Sequence, residues 1–218
     1  MAKLIWDKVG ERFYETGVSN CALYVYDDEA QDFGAGVAWN GITSITETPS
    51  GAEANAIYAD NIKYLSLLSA EEFGASIEAY TYPEEFEKCD GSAAIAPGVM
   101  IGQQARKKFC LAYKTIKGND VQNDAYGYKL HLIYNCNAAP SERAYATIND
   151  SPEAIAFSWE ISTTPVAVTG HKPTSILTID SAKVNADKLA SVEAALFGGD
   201  STEAKILMPD EVLALLAE

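Results

Sequence analysis

From Ile155 to Ser162 the chain alternates strictly, with Ile155, Phe157, Trp159 and Ile161 set against Ala156, Ser158, Glu160 and Ser162. Successive side chains of an extended strand point to opposite faces, so this run fits a strand with one buried face and cannot make one apolar stripe on a helix. Phe109, Leu111 and Tyr113 repeat the pattern against Lys108, Cys110, Ala112 and Lys114, and Leu130, Leu132 and Tyr134 repeat it against Lys129 and His131. Val37, Trp39, Gly41, Thr43 and Ile45 share one face of an extended run, and the β-prone run Glu78–Tyr82 stops at Pro83. Tyr24 with Tyr26, and Ile176 with Thr178, extend the set. Turn formers punctuate these runs at Thr16-Gly17, Pro49-Ser50-Gly51, Asp60-Asn61, Asp90-Gly91, Lys117-Gly118-Asn119-Asp120, Asn149-Asp150 and Thr169-Gly170. The expected class is mainly β, with mostly antiparallel strands.

Helical patterning is confined almost entirely to the chain after Asp180. Val184–Phe197 reads as one helix with Asn185 as N-cap, a staple between Val184 and Leu189, and an apolar stripe of Leu189, Val192, Leu196 and Phe197 ended by Gly198-Gly199. Asp210–Leu216, after Pro209, is too short to hold alone in water and must dock. Pro83–Lys88 suits a single helical turn. No Pro- or Ser-rich linker and no internal repeat divides the chain, and Gly198–Thr202 is the best flexible joint, so one domain over residues 1–218 is expected.

At 218 residues the chain can bury a substantial core, and a mean hydropathy of −0.08 is that of an ordinary globular protein. No apolar run approaches the roughly 18–20 residues that cross a bilayer, and MAKLIWDKVGERF carries charge where a signal peptide is apolar, so a product retained in the cytoplasm is expected. Cys21, Cys89, Cys110 and Cys136 are widely spaced, without the close ligand pairs of zinc or redox motifs, and are expected as free thiols. Thirty-one acidic against sixteen basic residues give a net charge of −15. That disfavours stable nucleic-acid binding, which needs clustered cations, yet suits a wall past which DNA slides without sticking.

Chemistry-bearing motifs are scarce. His131 and His171 are the only histidines, and the sequence holds no GxSxG, HExxH or P-loop. His131 is expected on a sheet surface and His171 in a loop. Asp27-Asp28-Glu29 with Asp32, and Asn119-Asp120 with Asn123-Asp124, offer oxygens to a hard cation but lack the DxDxDG pattern and suit solvated hairpin tips. Glu84, Glu85 and Glu87 near Glu78 are the nearest approach to paired carboxylates, in a chain where acids are too abundant for any pair to stand out. Arg106-Lys107-Lys108 is the one basic cluster, suited to a DNA backbone or, better in so acidic a chain, to a neighbour's acidic face. The expectation is no enzyme, with no catalytic, cofactor-binding or metal-ligating residue.

The segment Trp39–Phe86 contains SGAEANAIYADNIKYL and SAEEFGASIEAYTYPEEF, and NDSPEAIAFSWEISTTPVAV follows further on. On these phrases the chain closely resembles the major tail proteins of long, non-contractile-tailed bacteriophages (siphophages), from Leu4 to the closing PDEVLALLA. The resemblance implies an antiparallel β-sandwich or barrel of the tail-tube type with a flanking helix, a long hairpin loop and terminal arms. It implies six-fold rings stacked into a hollow tube, built in the cytoplasm of the bacterial host and ending in the virion tail. Implied partners are further copies of itself, a tape-measure protein inside the tube, tail-tip and distal tail proteins and a tail terminator. DNA would pass through in transit only, and no membrane insertion or cofactor is implied.

On that footing the helix 185–197 is the candidate flanking helix. The N-terminal segment of about residues 1–13 and the C-terminal extension of about 200–218 are candidate arms ordered on assembly. Gly118–Tyr126 and Thr46–Lys63 are candidate ring-to-ring contacts. A carbohydrate-binding or adhesin-like β-sandwich is the alternative; it would carry exposed aromatics around a groove and bind glycans as a monomer.

Overall fold

The computed structural model describes residues 3–148, 150–151, 153–199 and 202–217. Its strands are β1 (Phe13–Asp27), β2 (Asp32–Phe33), β3 (Val37–Trp39), β4 (Ile42–Glu47), β5 (Ser50–Gly51), β6 (Ala54–Ala59), β7 (Ile62–Leu68), β8 (Glu71–Glu72), β9 (Gly74–Ala79), β10 (Ala93–Ala96), β11 (Val99–Ile101), β12 (Phe109–Asn119), β13 (Asn123–Ala138), β14 (Phe157–Thr163) and β15 (Ile176–Asp180). A 3-10 turn, Glu84–Phe86, leads into α1 (Glu87–Asp90), and α2 (Ala186–Phe197) and α3 (Pro209–Ala217) follow β15. The Asn149-Asp150 turn and the Gly198–Thr202 joint lie partly outside the described residues.

The main sheet is antiparallel, in the order β2-β1-β12-β13-β14-β9-β4, with β3 added to β1 and β15 to β13. Mainly β architecture is therefore as expected. The run Val37–Ile45 is not one strand: Gly41, at φ +79°, stands between β3 and β4. The first half pairs with β1 and the second with β9, so the ladder turns back toward its start without forming a closed barrel. A β-carbon at Gly41 would come 2.8 Å from Thr81 Cγ2, and its left-handed backbone is one that L side chains rarely adopt.

The alternating runs fill two cores. Leu23, Trp39, Ile77, Phe86, Phe109, Leu111, Ile133 and Trp159 form one, between the β3-β1-β12-β13 and β14-β9-β4 halves. Its centre is aromatic: Phe86 lies 5.0 Å from Trp159 and 4.4 Å from Trp39 between ring centroids, and Trp39 Nε1–H donates to Thr81 O at 2.9 Å. Tyr24, Cys110, Ala112, Leu130, Leu132, Tyr134 and Ile179 point to the other face and form the second core with Leu189, Val192, Leu196, Ile206, Leu207 and Val212. The expectation of one buried face per strand thus fails for β1, β12 and β13, which are covered on both sides. The cause is α2 and α3, which roof the face that small residues such as Cys110 and Ala112 present.

The helices follow local rules. Asn185 Oδ1 accepts from Asp187 N–H at 2.9 Å and Lys188 N–H at 3.2 Å, the N-cap read from the sequence. Val184 and Leu189 enter the second core together. Buried tyrosines tie the roof down: Tyr24 donates to Leu196 O at 2.6 Å and Tyr134 to Leu207 O at 3.0 Å. The hairpin β10–β11, which carries no alternation strong enough to read, was not among the sequence expectations.

Candidate assembly surfaces

Strands β4 to β9 form one continuous antiparallel arm. The pairs Ile42↔Ala79 to Glu47↔Ala75 belong to the main sheet, Ser50↔Glu72 and Gly51↔Glu71 make the root, and Ala54↔Leu68 to Ala59↔Ile62 make the projecting hairpin. Asp60 (φ +50°) and Asn61 (φ +63°) close it as a two-residue loop of the primed class, whose twist matches the flanking strands. At the root Gly51 (φ +83°) is obligatory, since a β-carbon there would lie 2.2 Å from Ala70 O. Thr46–Lys63, the candidate ring-to-ring contact, thus runs from the end of β4 through one full strand of the hairpin and its turn.

No residue of β6 or β7 is buried. The cross-strand register, shifted between Ile57 and Tyr58, sets Ile57 opposite Leu65, Asn55 opposite Leu67 and Ala59 opposite Ile62. Strand β7 alone extends about 23 Å at 3.3 Å per residue. Tyr58, Ile62, Tyr64, Leu67 and Leu68 are each more than half exposed. An apolar, two-stranded hairpin with both edges unpaired is marginal by itself in water and is an invitation to pairing with another chain.

The N-terminal segment adds a second surface. Leu4, Ile5, Trp6 and Val9 are 68–78% exposed. The segment is tethered by its far end: Gly10 N–H donates to Asp120 Oδ1 at 2.9 Å, Asn119 Nδ2 donates to Gly10 O at 3.2 Å, and Phe13 packs on Tyr126 at 5.1 Å. The structure thereby joins the N-terminal segment and the 118–126 connection in one place; residues 1–2 lie outside the described residues. The C-terminal extension sits elsewhere. Residues 206–217 pack on the subunit's own sheet, with Ile206 and Val212 buried, Lys188 Nζ donating to Leu216 O at 3.1 Å, and Thr169 N–H and Oγ1–H donating to Asp210. Residues 200, 201 and 218 are outside the described set.

The remaining sequence candidates serve local structure. Asp27 Oδ1 accepts from Glu29 N–H at 2.9 Å, and these backbone bonds hold its carboxyl below the usual range. Asn119 Oδ1 accepts from Val121 and Gln122 N–H in the same manner. Among the described residues no group of three His, Cys, Asp or Glu could hold a metal ion. Glu78 accepts from Ser44 Oγ at 3.0 Å, while Glu84, Glu85 and Glu87 belong to the helical turn before β10. Arg106 donates to Ala138 O at 2.8 Å and Lys107 pairs with Asp28 at 3.1 Å, so two of the three basic residues are engaged within the subunit.

His131 is not on a surface. It is 8% exposed, stacked on Tyr113 at 4.8 Å, with Nε2 at 2.9 Å from Thr115 Oγ1 and Nδ1 at 3.3 Å from Thr178 Oγ1. Glu47 Oε1 lies 3.7 Å from Nδ1 and accepts from Tyr113 O–H at 2.9 Å. Burial pushes the imidazole below its ordinary value, against the pull of Glu47. His131 lies on the strand face opposite Leu130 and Leu132 but is not exposed, because Tyr113, Thr115, Thr178 and Glu47 enclose a ring that the local pattern shows on a polar face. His171 lies in the exposed loop after Gly170, as read.

No family model and no curated protein matches the chain. Among solved structures, one chain of the cryo-EM structure of the anti-feeding prophage (AFP) baseplate, 6-fold symmetrised, aligns over 83% of this chain and 100% of its own length. The two are 8% identical with a TM-score of 0.34, a likeness too slight to carry an argument about fold or role.

Proposed function

We propose that the protein is a structural subunit that polymerises as stacked hexameric rings into the hollow tube of a long, non-contractile phage tail, through which DNA passes into the host. The observation that carries this reading is the hairpin 54–68, which exposes apolar side chains and free strand edges although the subunit's two cores are complete without it. Side chains of that kind contribute nothing to the fold of a lone subunit and gain only when a neighbour covers them. The tail-protein resemblance of the sequence supplies the particular assembly. Head-to-tail contacts of this kind close into rings or continue into filaments according to the rotation between copies. Net charge of −15 suits a conduit that repels phosphate. The reading assigns no covalent chemistry; the subunit works by shape and association. The tape-measure, tail-tip and terminator proteins are its expected partners.

Negative-stain electron microscopy over a concentration series, with light scattering alongside, tests it. Rings or hollow tubes of uniform bore are expected, with the tail-tip complex added as an initiator where the subunit alone stays small. A protein that remains a monomer with that initiator and binds glycans would overturn the reading in favour of the binding-module alternative.

A further inference from the structure

Hairpin 54–68 cannot fix its own direction. Strands β6 and β7 form a two-stranded sheet of their own, and neither buries a residue. The direction is set where the arm leaves the body, between Glu47↔Ala75, the last main-sheet pair, and Ser50↔Glu72 at the root. From Thr48 to Ala59 one side of the arm measures about 40 Å at about 3.3 Å per residue, so about 10° of play at the base moves the tip by about 7 Å. Specific interfaces pack as densely as protein interiors and tolerate far less than that.

Two side-chain ties hold the base, one on each side. On β4, Glu47 Oε1 accepts from the Tyr113 hydroxyl at 2.9 Å. On the returning side, Phe73 O accepts from Thr163 Oγ1–H at 2.6 Å, and the Phe73 ring packs against the first core. The second tie runs to β14, which already pairs with β9, so it repeats what sheet register fixes. The first runs to β12, in the other half of the sheet across the first core, and so braces the base against a second wall. Tyr113 is 2% exposed and stacked on His131 at 4.8 Å, and Thr115 and Thr178 hold that imidazole, so the hydroxyl has a fixed position. The Glu47 side chain is 40% exposed, and water can solvate its carboxylate, so loss of this bond costs the fold little. What the bond supplies is direction.

We propose that the Tyr113–Glu47 bond is a positioning tie that presets the direction of arm 48–73 for assembly. The arm's purpose rests on the tube-subunit reading, while its direction is a property of the single subunit. A pre-aimed arm raises the fraction of subunits competent to bind, and apparent affinity rises in proportion.

Spin labels at Lys63→Cys on the hairpin and Ala190→Cys on α2, both exposed, read that direction by pulsed electron resonance below the assembly concentration; the four native cysteines are buried. A narrow distance distribution is expected. Tyr113→Phe keeps the ring stack but removes the donor, and should broaden the distribution by about 7 Å, the tip travel of about 10° of play. Glu47→Ala should do the same, whereas Glu47→Gln, which retains a carbonyl acceptor, should stay narrow. Melting temperatures of all three should fall by no more than about 4 °C. The scattering onset of Tyr113→Phe should rise roughly tenfold if about a tenth of its arms point correctly. A broad distribution in the parent, or an unchanged width in Tyr113→Phe, overturns the tie. Broadening with an unmoved onset keeps the tie and overturns its purpose in assembly. A parent that is narrow, yet never forms rings or tubes with the initiator, keeps the tie and sinks the tube reading.

Discussion

Val212 decides whether the C-terminal helix belongs to the subunit's core or is free to act as an arm. It is 1% exposed and packs in the second core with Leu189, Leu207 and Tyr134. Val212→Ala removes two carbon atoms at about 0.8 kcal/mol each, and incomplete collapse of the site brings the loss to about 2 kcal/mol. Alanine is the better helix former by about 0.5 kcal/mol, which leaves a net destabilisation of about 1.5 kcal/mol. For a chain of this size the melting temperature should fall by about 3–6 °C. Circular dichroism melts at neutral pH in reducing buffer read this directly. Leu213→Ala, on the exposed side of the same helix, removes little packing and should stay within about 1 °C. Equal melts for Val212→Ala and wild type would show that α3 is not held on the sheet, and the two-sided core would fall with it. If the expected loss is seen, removal of Pro209–Glu218 weakens the fold itself, and failed assembly in that truncation says nothing about an arm.

His131 sets a pH dependence: its folded-state pKa lies below the unfolded value because burial outweighs the attraction of Glu47, with Lys129 lowering it further and Glu15 opposing. Below an unfolded pKa of about 6.5 the unfolded chain takes up the proton more readily. Urea midpoints should thus fall as pH drops from about 6.5 toward the folded pKa, and His131→Gln should flatten that slope; an unchanged slope refutes the burial argument. Gly51→Ala forces a β-carbon against Ala70 O in a left-handed backbone. It should cost the hairpin root at least about 1 kcal/mol and raise amide exchange across β5–β8, while Trp159 fluorescence stays native. Burial pushes the thiols of Cys21, Cys89 and Cys110 up to about 12 and raises that of Cys136 well above its ordinary value. Ellman's reagent should find almost no reactive thiol in the native protein and four after denaturation; rapid native labelling would contradict the packing.

What the sequence by itself determined is what short-range physics controls. Alternation at 109–113, 130–134 and 157–161 marked strands because a pleat has period two. Asn185 and the apolar stripe behind it marked α2 because capping and helical periodicity are local. Asp60-Asn61 marked a turn because asparagine and aspartate tolerate positive φ. Only the tertiary structure decided which of those faces are covered. Cys110 and Ala112 read as an outer face until α2 and α3, some eighty residues later, roof them. His131 read as exposed until β15 and Glu47 enclosed it. The hairpins 54–68 and 93–101 show the converse, since apolar residues there suggest burial, yet within one subunit nothing covers them. Burial is set by contacts remote in sequence, and where the covering surface belongs to another molecule even the subunit's own fold leaves it open.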